Sequence, residues 1–502
     1  MTQSSAGRSL RGAFVAVTSL FFMWGFITVL VDALIPRLKE VFELTFLQAG
    51  LVQFAWFAAY GLLSIPGGNL ISKIGYQRGI LVGLATAGMG CLLFYPAAAT
   101  RMYPLFLLAL FVVAGGITIL QVAANPYISV LGPDESASAR LNLSQAFNSF
   151  GTTLAPVFAA SYLLGDKILR SDEIQALNES ERISYYASEA SDVQDPFVFL
   201  ALAFFSLAGV VGLINLPKIL GGGGSNRLGL IETLVLFIFT VVGGNVALSS
   251  LGDLPLVYTF IATLVSGCVY FFAGWKFINA FGFNALEPYV KVVQNKKLLF
   301  GAIGIFVYVG AEVALGSYMV NYGLSLDIVE EIKSSSVLSA MAGVAAMIKG
   351  VDVSGLDAKG VLGALLTFYW GGAMLGRFAG SGLMQKIRPF RLLSMAALLA
   401  LVLIVASVTS SGVAAILLLL GVGFCNSIMF PTIFTLAIED LGDGKPQGSG
   451  VLCTAIVGGA FIPPAVGAIA DGSGFALAFL LPMLCYGYIA WYSGRLVPSV
   501  SK

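Results

Sequence analysis

Residues Gly115–Gly132 read GGITILQVAANPYISVLG. The run is apolar enough for a membrane helix, yet it carries two amides and a proline. Gln121 and Asn125 stand four apart and share one helix face. Pro126 withdraws a backbone N–H at the same level. Hydrocarbon satisfies neither feature, so this face turns toward a protein interior or a water-filled cavity. Two uses are open: a proline kink whose amides glue helix to helix, or the wall of a polar cavity.

Outward from that stretch, the 502 residues are 58% hydrophobic and 11% charged, which excludes an ordinary soluble globular chain. Apolar runs of about 20 residues recur throughout, each long enough to cross a bilayer. The net charge of +1 suggests no nucleic-acid partner. The first apolar run is longer than a signal-peptide core and lacks a small-residue cleavage site, so it is expected to remain as a span. Cys91, Cys268, Cys425, Cys453 and Cys485 all fall in apolar runs without metal spacing and are expected to pack as small residues. Neither a metal nor a cofactor is expected. Histidine is absent, so proton chemistry would fall to a carboxylate.

The expected architecture is an all-α polytopic membrane protein with fourteen spans. They lie at 12–36, 46–72, 78–97, 103–130, 141–164, 196–216, 228–250, 255–280, 298–322, 359–383, 391–409, 411–438, 449–470 and 474–494. Lys and Arg gather on one side. Arg8 and Arg11 precede the first span, Lys73 and Arg78 follow the second, and Lys218 and Arg227 the sixth. Lys291, Lys296 and Lys297 follow the eighth, Lys386, Arg388 and Arg391 the tenth, and Arg495 and Lys502 close the chain. The positive-inside rule then makes both termini cytoplasmic, in a cell membrane of the bacterial inner-membrane type. Two loops on that side depart from the rule, 133–140 and the acidic 439–447.

Two internal echoes divide the chain. Gly67–Arg78 (GGNLISKIGYQR) resembles Gly380–Arg391 (GSGLMQKIRPFR), and Asn125–Ile128 (NPYI) resembles Phe430–Ile433 (FPTI). The fourth and twelfth expected spans are thus counterparts in two six-span halves, 1–217 and 296–502. Residues 218–295 form a linker with an inserted two-span hairpin, read as peripheral. That linker contains a flexible Gly221–Ser225 GGGGS run. Between the ninth and tenth spans, 337–348 is a short amphipathic stretch expected at the outer interface.

Asp32 and Glu312 lie in spans away from the ends, and intramembrane carboxylates are functional candidates, here for carrying a proton. The alternative for Asp32, four residues before Pro36, is contact with water at the outer end. For Glu312 it is a structural pairing with another helix. Trp24, Thr28 and Asp32 make one stripe; Gln53, Trp56, Phe57 and Tyr60 make another. Aromatic faces stack on sugar C–H surfaces and amides bond hydroxyls, although the same stripe also suits ordinary packing. Asn142, Gln145 and Asn148 add a third polar stripe, and no Lys or Arg accompanies these amides, which fits a neutral, hydroxyl-rich ligand. In the second half Tyr318, Tyr369 and Asn426 are further ligand candidates, with Tyr308, Trp370 and Thr454 nearby in type. Gly68, Lys73, Gly75 and Arg78 form a loop motif expected to gate the cytoplasmic side, with Arg377 as a gate or anchor.

These residues resemble the fucose/glucose–galactose permease branch of the major facilitator superfamily. The resemblance rests on Asp32–Phe42 (DALIPRLKEVF), Gly68–Gly79, Gln121–Pro126 (QVAANP), Arg140–Gly151 (RLNLSQAFNSFG), Tyr308–Tyr322 and Phe430–Phe434 (FPTIF). It implies two six-helix halves that rock around a midplane site, and proton-coupled uptake of a neutral monosaccharide with Asp32 in the coupling role. The fucose type has a carboxylate where this chain has Gln121, which turns the resemblance toward the glucose/galactose and N-acetylglucosamine members. Val31 replaces the family's usual Asn. Glu312 stands where the fucose type tends to carry Gln, so the acidity is expected to have moved from the fourth span to the ninth. The expected function is sugar:proton symport by a monomer, with proton or another cation, sugar and bilayer as partners. The rivals are a fourteen-span multidrug:proton antiporter, against which the amide stripes argue, and a sugar facilitator or sensor without ion coupling. No catalytic motif supports an enzyme.

Overall fold

The computed structural model describes residues 3–41, 46–100, 102–162, 178–214, 216–217, 287–348 and 358–496. The first half consists of α1 (Gln3–Val41), α2 (Phe46–Ile74), α3 (Tyr76–Thr100), α4 (Tyr103–Val130), α5 (Ala137–Tyr162) and α6 (Glu179–Leu213). A short linker helix, α7 (Glu287–Val293), leads into α8 (Lys296–Ser325). Two small helices follow, α9 (Val329–Ser334) and α10 (Ser336–Ile348), then α11 (Ala358–Leu383) and α12 (Pro389–Thr409). The next expected span is two helices, α13 (Val413–Asn426) and α14 (Met429–Ile438). The last are α15 (Lys445–Thr454), α16 (Gly458–Ser473), α17 (Phe475–Ala478) and α18 (Leu480–Trp491).

Among the described residues, ten helical stretches are long and apolar enough to cross a membrane. The 26-residue helices α5 and α11 carry too much polar character for that measure but match them in length. The expected spans 228–250 and 255–280, with the GGGGS run, lie outside the described residues. The amphipathic stretch at 337–348 is α10, which exposes Val337 and Val344. The expected span 411–438 is present as Val413–Ile438, with a two-residue turn at Ser427–Ile428 where Pro431 cannot donate to the Ser427 carbonyl.

Helix starts follow local chemistry. Asn178 and Glu181 make a reciprocal capping box at α6, and the Asn295 side chain accepts from the Leu298 amide at α8. Pro104, Pro389 and Pro446 sit in first turns, where a missing N–H costs nothing. Small residues set the packing. A Cβ on Gly83 would lie 2.8 Å from the Leu120 amide, and one on Gly116 would strike Ala87, so α3 and α4 approach backbone to backbone. Gly25 and Gly151 do the same for α1 and α5.

The two loops that broke the charge rule have partners. Arg140 turns inward to the carbonyls of Ile128 (3.2 Å), Ser129 (2.5 Å) and Pro133 (2.8 Å), capping the end of α4. Glu439 and Asp440 at the end of α14 pair with Lys297 at 3.3 and 2.7 Å, and this lysine is only 2% exposed.

Candidate functional site

The start of α1, the end of α18 and the α2–α3, α4–α5 and α11–α12 turns lie at one end of the bundle, here the terminus end. Contacts between the halves run from mid-span to this end. Ser138 and Thr435 hydroxyls meet at 2.6 Å, Asn142 Nδ2 donates to Thr432 Oγ1 at 3.3 Å, and Ser381 Oγ donates to the Ala139 carbonyl at 3.0 Å. Tyr289 on the linker helix α7 crosses to the first half and donates to the Ile65 carbonyl. A Cβ on Gly68 would lie 2.7 Å from the Pro446 carbonyl and 2.8 Å from the Tyr289 hydroxyl, so a larger residue would force the halves apart there. Burial pushes the Tyr289 phenol well above its ordinary range. Gly75 makes the α2–α3 turn at φ 83°, Lys73 is half-buried and Arg78 is exposed.

At mid-span the first half offers amides. Gln121 Nε2 donates to the Tyr60 hydroxyl at 2.5 Å, and Gln145 Nε2 donates to Asn125 Oδ1 at 3.4 Å. Asn125 is fully buried and its Nδ2 has no partner among the described residues. An unfilled buried donor costs roughly 1–3 kcal/mol, which a ligand acceptor or a water would recover. The cluster therefore presents a neutral, hydrogen-bonding surface to the seam between α4 and α5.

The second half brings a charge and three phenols. Glu312 is half-buried at the middle of α8, one turn after Tyr308, and its backbone carbonyl accepts from Tyr369. Asn426 is fully buried. Its Nδ2 donates to the Tyr369 hydroxyl at 2.7 Å, its Oδ1 accepts from Tyr486 at 2.7 Å and its backbone carbonyl accepts from Tyr308 at 3.1 Å. Tyr369 in turn donates to the backbone carbonyl of Glu312 at 3.1 Å. Arg377 lies between the halves: Nε donates to the Ser427 carbonyl at 3.0 Å, and Nη1 reaches Ser149 Oγ and, at 3.5 Å, the Gln145 carbonyl. Trp370, seven residues earlier and so on the same face of α11, packs over Gly316 and is 45% exposed.

The structure thus brings Gln121, Asn125 and Gln145 together, and Glu312, Tyr369, Asn426 and Arg377 together. Other expected site residues stand apart. Asn148 turns to α1, where its Nδ2 donates to the Phe21 carbonyl at 3.0 Å. Tyr318 lies on another face of α8, against Gly467 and Phe475. Trp24 is buried against Phe21 at 5.2 Å between ring centroids, and Trp56 is half-buried. Asp32 falls in α1 and Gln53 in α2, but their side chains lie outside the described set. Sequence reasoning missed Ser149 and Tyr486. Ser149 was legible, because Asn142, Gln145 and Ser149 follow i, i+3, i+7 whereas Asn148 falls off that line. Tyr486 had no local signal.

Residues 12–166 match the Major Facilitator Superfamily. The glucose/galactose transporter of Brucella abortus is 40% identical over 491 residues, covering 98% of this chain and 95% of the relative. The L-fucose-proton symporter of Escherichia coli is 29% identical over 484 residues, covering 96% and 92%. A crystal structure of the fucose symporter of the major facilitator superfamily in the outward conformation aligns with TM-score 0.73 at 28% identity, covering 96% of this chain and 97% of that one. The two relatives and the crystal structure align along nearly the whole chain, including the segments that build the site. The chain is a multi-pass membrane transporter, not an enzyme, and it belongs to the branch of the major facilitator superfamily that holds the glucose/galactose transporters and the fucose–proton symporters.

Proposed function

We propose that this transporter imports a neutral monosaccharide of the glucose/galactose class together with a proton, by alternating access, across a bacterial cytoplasmic membrane. The observation that carries the reading is the amide cluster of Gln121, Asn125 and Gln145, with one buried donor unfilled among the described residues and Arg377 of the other half against it. Neutral amides discriminate hydroxyl patterns without demanding a charged ligand. The 40%-identical relative is named as a glucose/galactose transporter, which supports the same substrate class.

Glu312 is the proton carrier within the described site, and Asp32 on α1 is the second. The basic loops favour cytoplasmic termini. With the halves joined at that end, sugar enters from the outside and meets the amides at mid-span. A proton moving inward through 100 mV releases roughly 2.3 kcal/mol, enough to concentrate a neutral sugar many-fold. One chain supplies both walls of the site, so a monomer suffices. The division at 1–217, 218–295 and 296–502 follows from the same reading, with the linker's extra hairpin outside the transport path.

The test is uptake of labelled glucose, galactose, mannose, fructose and N-acetylglucosamine into proteoliposomes, with and without an inward proton gradient. The parent accumulates one or two of these only with the gradient. Glu312→Gln and Asp32→Asn still exchange sugar across the membrane but do not concentrate it. Accumulation that ignores the gradient would sink proton coupling, and failure of every sugar to exchange would sink the substrate class.

A further inference from the structure

Hydroxyl side chains inside these helices mostly bond their own backbone. Thr28, Ser64, Thr118, Ser129 and Thr454 each donate to the carbonyl four residues earlier. Ser449 on α15 departs from this. It is fully buried, and its Oγ leaves its own helix to donate to the Val122 carbonyl of α4, in the other half, at 2.9 Å. That carbonyl is available because Pro126, four residues on, has no N–H to fill it. Glycine brings α15 close enough: a Cβ on Gly450 would lie 2.8 Å from the Ser64 carbonyl of α2.

The second half repeats the arrangement with one residue interposed. Pro431 leaves the Ser427 carbonyl free, and that carbonyl accepts from Arg377 Nε at 3.0 Å. Nη1 of the same guanidinium reaches Ser149 Oγ and, at 3.5 Å, the Gln145 carbonyl on α5. In each half, then, the carbonyl freed by a proline leads to a contact with the opposite half. On α4 the freed carbonyl belongs to the turn that carries Gln121 and Asn125. A helix with a complete ladder at this level would offer Ser449 no acceptor, and joining the halves would bury an unpaired hydroxyl. With the halves apart, water serves both groups, so the bond is exchanged rather than lost.

We propose that Pro126 and Ser449 form a dock that favours the arrangement joined at the terminus end, and that Pro126 acts by supplying the acceptor rather than by bending α4. Both are positioning residues. The dock holds the turn of Gln121 and Asn125 against the other half while the site faces the outside. The inference rests on the reading of alternating access.

The test uses neither sugar nor a proton gradient, so it can fail while the uptake assay succeeds, and the reverse. The full chain, carrying Cys268→Ser, is spin-labelled at Glu135→Cys and Lys386→Cys, exposed positions on the two halves at the terminus end, and distances are read in nanodiscs. Cys91, Cys425, Cys453 and Cys485 are buried and do not take the label. Ser449→Ala lowers the ratio of short to long distances about five-fold, the weight of one ordinary hydrogen bond. Pro126→Ala returns an N–H to the Val122 carbonyl and shifts the ratio the same way by about two-fold, less because the carbonyl keeps a second lone pair. In the Pro126→Ala background, Ser449→Ala has a smaller effect than it has alone. The proposal is overturned if either single variant superimposes on the parent. It is also overturned if the two effects multiply in the double variant, since Pro126 would then act through the shape of α4 and not through Ser449. Elution of each variant as a single peak at the parent volume confirms that it is folded.

Discussion

The helix α4 and its counterpart α13–α14 start from similar sequences and reach different structures. α4 runs unbroken through Pro126, whereas its counterpart stops at Asn426 and resumes at Met429 ahead of Pro431. A proline frees one carbonyl in either helix. In α4 that carbonyl takes a single hydroxyl from the other half, and Ser129 Oγ closes a local bond to the Asn125 carbonyl at 2.9 Å. In α13–α14 two consecutive carbonyls take donors from α8 and α11. External donors replace the internal ladder, and the helix breaks. The asparagines differ as well: Asn426 has its polar atoms engaged by tyrosines, while Asn125 keeps an unfilled donor among the described residues.

That contrast is broken most directly by removing each asparagine. Asn426→Leu strands the Tyr369 and Tyr486 hydroxyls in a buried site and is expected to cost about 3 kcal/mol, read as a large fall in melting temperature in detergent. Asn125→Leu loses one long bond and an unfilled donor, so its melting temperature falls little while sugar exchange is lost. Equal losses of stability at the two positions would refute the distinction between a structural and a ligand-facing amide.

The helix ends sharpen the comparison. Arg140 holds the carbonyls at the end of α4, whereas Lys297 serves the two acids at the end of α14. Arg140→Gln removes several bonds at once and is expected to cost about 2 kcal/mol by thermal denaturation. Lys297→Met replaces a buried ammonium by an apolar chain of similar length and leaves two half-exposed acids that water can serve. The expected cost is about 1 kcal/mol or less. The smallest effect concerns Pro126. Ser449→Ala leaves the Val122 carbonyl unpaired and costs about 1 kcal/mol, but in a Pro126→Ala background the restored N–H fills that carbonyl and the cost shrinks. A double-mutant cycle with no coupling would show that Ser449 acts elsewhere.

Much of this was legible without coordinates. Apolar runs of membrane length, basic loops on one side and the two echoes led to two six-helix halves. Amides at helical spacing on the fourth and fifth spans led to the cluster of Gln121, Asn125 and Gln145. What escaped had a physical reason in each case. Tyr486 meets Asn426 across 60 residues of chain, so no local pattern signals it. Asn148 satisfies the amide rule by type but points to α1, because a helical step of about 100° puts Ser149, not Asn148, in line with Gln145.

The sequence by itself determined which segments must enter the membrane, since hydrocarbon accepts only long apolar helices, and it determined that the interior would carry amides, phenols and a carboxylate; that Arg377 joins them between the halves came from the tertiary structure. Only the tertiary structure decided which of those groups are spent holding helices together and which keep a free donor among the described residues. A hydrogen bond is a matter of a few ångströms between helices distant in sequence, and a donor with one hydrogen serves one acceptor at a time.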